Sequence, residues 1–145
     1  MKMYILILIS FLFIGCSFDK TYENRESDKE DAKKVTDRFY FLMQENNHHE
    51  TFKLFSIRFF DEVGKEKFKQ ILDDTNIEFG KVKNYELINS WTQIIEGSNP
   101  ISKYELSYLV TRDSIQTKEH FKMQKENDTI KIIAYRLDFD VVPKK

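Results

Sequence analysis

One cysteine, two prolines, four glycines, three histidines and a single tryptophan occur in 145 residues, and each scarcity closes off a class of protein. A lone cysteine, Cys16, rules out an internal disulfide and a thiolate zinc cluster, and leaves no cysteine nucleophile in the body of the chain. Small domains in oxidising compartments often rely on cross-links; this one is expected to be held by its core alone. So few prolines and glycines leave no low-complexity linker, and there is no internal repeat at solenoid spacing. The formal net charge is −1, without a basic stripe, so a nucleic-acid partner is not expected. No glycine-rich phosphate loop, nucleophile elbow or HExxH helix is present. No cofactor and no catalytic residue are assigned from motifs.

What is abundant is aromatic area: 13 Phe and 7 Tyr. The first fifteen residues stand apart. Lys2 supplies a positive start, Tyr4 to Ile14 is apolar apart from Ser10, and Gly15 stands before Cys16. Those are the three parts of a secretory signal peptide. The run is shorter than the roughly 20 apolar residues a spanning helix needs. The chain beyond it, opening Ser17-Phe18-Asp19-Lys20, is polar and long enough for one domain.

Phe13-Ile14-Gly15-Cys16 resembles a bacterial lipobox, with Phe13 where Leu is commonest. The resemblance implies cleavage after Gly15, diacylglycerol on the Cys16 thiol, and acylation of the new amine. Each buried methylene contributes about 0.8 kcal/mol, so two or three chains (palmitate among them) on one residue make a durable anchor where one is marginal. Ser17 after the cysteine resembles lipoproteins exported to an outer membrane. The implied location is the cell envelope, lipid-anchored and extracytoplasmic, at an outer membrane or the cell membrane.

The organisation read from the sequence is residues 1–15 signal peptide, 16–27 lipidated tether, 28–140 an α+β domain, and 141–145 a C-terminal tail. Ser27 or Asp28 opens a helix, with Glu30 and Asp31 in its positive first turn. Ala32, Val35, Phe39, Leu42 and Met43 recur at helical spacing. A second helical stretch carries Phe52, Phe55 and Phe59 on one side, Gly64 breaks it, and a third covers Lys65 to Asp74. After Gly80 the period changes to two, giving strands over Val82–Ile95, Lys103–Arg112, Ser114–Glu126 and Thr129–Phe139. Arg112-Asp113 and Asn127-Asp128 are polar breaks suited to hairpin turns. Helices followed by a meander imply α+β, with N-terminal helices packed on a four-stranded antiparallel sheet.

That order is similar to the NTF2-like, or cystatin-like cone, superfamily and to small bacterial lipoproteins within it. The features that carry the resemblance are the first helix with Ala32, Phe39 and Leu42, the junction Phe79-Gly80-Lys81-Val82, and the closing hairpin from Glu119 to Leu137. In enzymes of that superfamily, Tyr and Asp in the cone polarise a carbonyl and move a proton. No Asp or His here clearly joins the aromatic set, so no catalytic residue is carried over.

The candidate sites follow. His48-His49-Glu50 has metal-ligand residue types, but helical neighbours point about 100 degrees apart and seldom chelate one ion. A solvated turn is the expectation there, and no metal is assigned. Glu119 shares a strand face with Phe121 and Met123, where a carboxylate's pKa can rise toward acid–base use; a strand-end Glu with a partner is the plainer expectation. His120 falls on the opposite face with Lys118, Lys122 and Gln124. Tyr85, Trp91, Tyr104, Tyr108 and Tyr135 are strand aromatics that either line a concave sheet face or build the core. Trp91, Tyr104 and Tyr108 are taken as the possible binding surface. The functional expectation is a non-catalytic binding or interaction module of the cell envelope, anchored by lipid, whose partner is a protein, a peptide or a small apolar ligand. The alternatives are a small isomerase- or dehydratase-type enzyme using the cone cavity, and an accessory subunit that dimerises through its sheet.

Overall fold

The computed structural model describes residues 19–139; Gly15, Cys16 and the C-terminal tail lie outside them. Nine elements follow in order: β1 (Lys20–Glu23), α1 (Glu26–Gln44), α2 (His48–Phe52), α3 (Ile57–Val63), α4 (Lys65–Phe79), β2 (Val82–Glu96), β3 (Ile101–Arg112), β4 (Gln116–Glu126) and β5 (Thr129–Asp138). The strands make one antiparallel sheet in the order β1-β2-β3-β4-β5. Among the described residues, no helix is long and apolar enough to cross a membrane.

Helix α1 forms the floor on which the rest packs. Glu26 and Asp28 occupy its first turn, where negative charge suits the helix dipole. Asp28 also holds the Arg25 guanidinium at 2.7 Å. Ala32, Thr36, Phe39, Tyr40 and Met43 are buried along one side. Their aromatic members meet the sheet edge-on: Phe39 lies 5.1 Å from Phe121, and Tyr40 lies 5.3 Å from Tyr108. Along β3, Tyr104, Leu106, Tyr108 and Val110 are all buried on that face, as the strand alternation requires.

The sheet has five strands where four were expected. β1 lies within the segment read as tether and pairs with the far end of β2, Thr21 opposite Ile95 and Tyr22 opposite Ile94. Four residues are too few to show an alternating pattern, and the partner strand is remote in sequence, so nothing local marks it. Tyr22 packs against the core edge, and the Arg25 guanidinium lies 4.1 Å from its ring centre.

The second expected helix is divided. Ser56 caps α3 by accepting from the Arg58 N–H, and the chain just before it is drawn onto β5. There the Ser56 N–H donates to the Ile132 carbonyl at 2.9 Å, and the Ile132 N–H donates to the Leu54 carbonyl at 2.9 Å. The spacing of Phe52, Phe55 and Phe59 suits a helix, but unpaired amides of an edge strand compete for the same backbone. The third expected helix runs on past Asp74 to Phe79, with Thr75 buried and its hydroxyl bonded to the Ile71 carbonyl. Gly80 then turns the chain at φ 82°, a conformation open to glycine. Asn127 and Asp128, both at positive φ (46° and 62°), form the β4–β5 hairpin turn, as their sequence suggests.

Candidate functional site

The interior of the cone is filled. Phe39, Tyr40, Tyr108, Phe121 and Ile132 occupy the space between α1 and the sheet with 1 % or less of their surface exposed. At its centre sits an ion pair. Glu119 is fully buried and Arg112 is 2 % exposed, with 2.7 Å between the Arg112 Nη2 and the Glu119 Oε1. The second carboxylate oxygen accepts from the Tyr135 hydroxyl at 2.8 Å and the Tyr40 hydroxyl at 3.2 Å. Thr117 adds a longer bond to Oε1. The other guanidinium nitrogen, Nη1, donates to the Gly80 carbonyl and to Asn76, so Arg112 also satisfies the carbonyl end of α4. Its Nε has no hydrogen-bond partner among the described residues. One buried pair thereby joins α1, α4, β3, β4 and β5.

This arrangement settles the place of Glu119 without giving it chemistry. It shares its face with Phe121 and Met123 as expected, and both oxygens are engaged. Arg112, the end of the expected strand Lys103–Arg112 and also read with Asp113 as a polar break, is the last inward position of β3; the turn falls at Asp113 to Ile115. Close by, the Tyr108 hydroxyl lies 2.6 Å from that of Thr36, which itself donates to the Lys33 carbonyl. Tyr108 is therefore the donor of that pair.

Burial controls the phenols. It pushes Tyr108 up to about 12, and burial followed by the Glu119 charge carries Tyr40 and Tyr135 well above the ordinary phenol value. The unfolded chain releases these protons from about pH 10, while the folded chain keeps them. The contribution of Tyr108 to stability is thus complete below about pH 10 and lost as the pH rises through about 12, and those of Tyr40 and Tyr135 are lost in the same direction as the pH rises above the ordinary phenol value. An alkaline titration should show phenolate absorbance in two steps, the later one coinciding with unfolding by circular dichroism. A single step near the free-phenol value, with the fold intact, would contradict the buried placement.

The chosen aromatic residues separate into two groups. Tyr104, at 4 % exposure, and Tyr108, at 0 %, lie in the core, so no partner reaches them in the folded domain. Tyr85 stacks on Tyr40 at 4.2 Å from the same side, and Tyr135 is half-buried with its hydroxyl inside. Trp91 pairs with Glu105 on the opposite face of the sheet, which no helix covers among the described residues, and is half-buried. It remains on a surface.

His48 and His49 open α2 and part company: the first bonds Asp73 at 2.8 Å and the second bonds Glu50 at 3.0 Å. Among the described residues no three His, Cys, Asp or Glu side chains converge on one point. A groove of about 800 Å³ lies beside them between α2, α3 and α4, floored by Phe52, Phe55 and Phe60. Its rim mixes Lys53, Lys65 and Lys69 with Asp61 and Glu66, so its charge selects no ligand of one sign.

On the open sheet face a smaller hollow of about 410 Å³ lies over β3, β4 and β5. Ser107 and His120 border it, with 2.8 Å between the Ser107 Oγ and the His120 Nδ1. The other ring nitrogen, Nε2, lies 3.1 Å from Asp138. His120 does face away from the core, as the alternation required, and its Nδ1 is hydrogen-bonded to Ser107. The sequence reading passed over Ser107 and Asp138, because only the strand register brings them to His120.

No family model matches the chain, and no curated protein matches it. Among solved structures it is similar to a protein of unknown function with a cystatin-like fold from Nostoc punctiforme. That likeness has a TM-score of 0.53 at 14% identity, over 85% of this chain and 97% of the other. With α helices followed by one antiparallel sheet, the domain has a cystatin-like fold.

Proposed function

We propose that the chain is a lipid-anchored, extracytoplasmic binding module of the cell envelope, which engages its partner by its surface. The observation that carries the binding part is the filled cone. The Glu119 oxygens are committed to Arg112, Tyr40, Tyr135 and Thr117, with no exposed area. A carboxylate that no substrate reaches supports neither proton transfer nor carbonyl polarisation, which weighs against the isomerase or dehydratase alternative. Trp91, a large aromatic group on the uncovered face, is the natural anchor for a protein or peptide partner.

The anchor rests on Phe13-Ile14-Gly15-Cys16 and the apolar leader before it. Cys16→Ser should move the protein from the membrane to the soluble or precursor fraction. Fractionation with intact-mass measurement checks this. A wild-type protein that retains residues 1–15 or carries no acyl chains would overturn the lipoprotein reading.

A further inference from the structure

We infer that the groove between α2, α3 and α4 is a lipid site, which holds one acyl chain of an uncharged lipid drawn from the leaflet beside the domain. The site lies apart from Trp91 and goes beyond the binding reading. The nearness of a leaflet rests on the proposed anchor; the groove itself does not. The groove exists because of the way the chain divides. Leu54 and Ser56 are drawn by backbone hydrogen bonds onto Ile132, which parts α2 from α3 and leaves a trough along their aromatic side chains. Phe52, Phe55 and Phe60 line that trough. All three rings lie against the buried Phe68, with centres 4.8–6.2 Å from its own.

The walls are tied in place. His48 on α2 is hydrogen-bonded to one oxygen of Asp73 on α4 at 2.8 Å, and Lys69 holds the other oxygen at 2.6 Å. The volume, about 800 Å³, falls within the roughly 300–1,000 Å³ in which proteins hold small molecules on apolar and aromatic walls. Ile57, at the lip, is 78% exposed, so the groove stands open.

Two observations choose the occupant. The first is charge. Lys53 is paired with Glu50 and Lys69 with Asp73, each at 2.6 Å. Lys65 shares the rim with Asp61 and Glu66, its ammonium 5.5 Å from the centre of the Phe60 ring. A carboxylate or phosphate would meet cations already neutralised and two carboxylates besides, while an ammonium would meet the lysines; either would lose its hydration without a partner. An uncharged chain with hydroxyl or ester groups at the mouth has no such cost. The second is position. The Ser56 hydroxyl donates to Glu126, the last residue of β4, at 2.8 Å. The sheet register puts that end of β4 at the same end of the sheet as Lys20, the first residue of β1, from which the chain leads back to Cys16. The groove therefore adjoins the end of the domain that an anchor at Cys16 keeps beside the bilayer. A monoacylglycerol has the matching form, with one chain for the aromatic floor and glycerol hydroxyls for the polar rim.

The test is photocrosslinking of the full-length protein in phosphatidylcholine vesicles that carry a monoacylglycerol with a diazirine in its acyl chain, followed by peptide mapping and flotation. Label should concentrate on the segment from Phe52 to Phe60, and excess unlabelled monoacylglycerol should remove it. Ile57→Asp should cut the label by about tenfold, since it sets a charge against the chain. Its melting temperature should stay close to wild type because the side chain is exposed. Trp91→Ala should label as wild type does. Label spread evenly over the surface, label that excess lipid leaves in place, or an Ile57→Asp protein labelled like wild type would overturn the site. Flotation reports on the anchor separately. A protein that stays out of the floating fraction yet labels in this segment would overturn the leaflet as the source and support the groove. A protein that floats without label there would overturn the groove and leave the anchor standing.

Discussion

Arg112→Met alone and Glu119→Gln alone should each lower the unfolding free energy by about 3–5 kcal/mol, since each leaves one unpaired charge in the core. Combined, they should cost less than either single change. The reason is the asymmetry of buried ion pairs. Desolvating both ions offsets most of their attraction, so a pair adds little net stability, whereas an orphaned ion retains the whole desolvation penalty. Glutamine is the informative partner here because its amide oxygen still accepts from Tyr40 and Tyr135, which now bond Glu119. Leucine would strand two buried hydroxyls and blur the comparison. Urea denaturation of both single variants and the double variant gives the coupling directly. Additive losses would mean that Arg112 and Glu119 act separately, and that the 2.7 Å contact is incidental.

The second large effect separates two aromatic residues that look alike in the sequence. Tyr108→Ala should destabilise the domain by about 3–5 kcal/mol. It removes a ring packed against Tyr40, Tyr85 and Phe121, and leaves Thr36 without its hydrogen-bond donor. Trp91→Ala should change stability far less, because the indole lies on the uncovered face and leaves no interior cavity. Its effect should appear in crosslinking to the partner in native membranes, where loss of a central aromatic anchor commonly costs about 2 kcal/mol or more. Melting curves run beside each crosslinking assay keep folding and binding apart. A Trp91→Ala protein that unfolds as readily as Tyr108→Ala would remove Trp91 from the surface.

Much of the fold was legible because period and position agreed. The alternation of Tyr104, Leu106, Tyr108 and Val110 marked both the strand and its buried side, and Asn127-Asp128 marked its hairpin. Arg112 escaped through its chemistry. An Arg-Asp pair reads as a polar turn, yet continuing the two-residue period from Val110 places Arg112 inward, on the same side as a Glu119 already assigned to the apolar face. The alternation was the better guide than polarity. β1 carried no such signal, because four residues gain their structure only from a partner strand far away in the chain. The grouping of Ser107, His120 and Asp138 was hidden for a related reason: it depends on the register of three strands, which one sequence without relatives does not fix.

The early strand β1 also sets a leash. With Lys20 already paired into the sheet beside Glu96, only three residues of chain, Ser17, Phe18 and Asp19, separate it from Cys16, a reach of at most about 14 Å. On the proposed lipid anchor at Cys16, a domain tied so short would stay at the lipid headgroups, with the Glu96–Ile101 loop end of the sheet nearest the bilayer. Its partners would then be recruited sideways, from neighbours in the same leaflet or from whatever comes within one protein diameter of it.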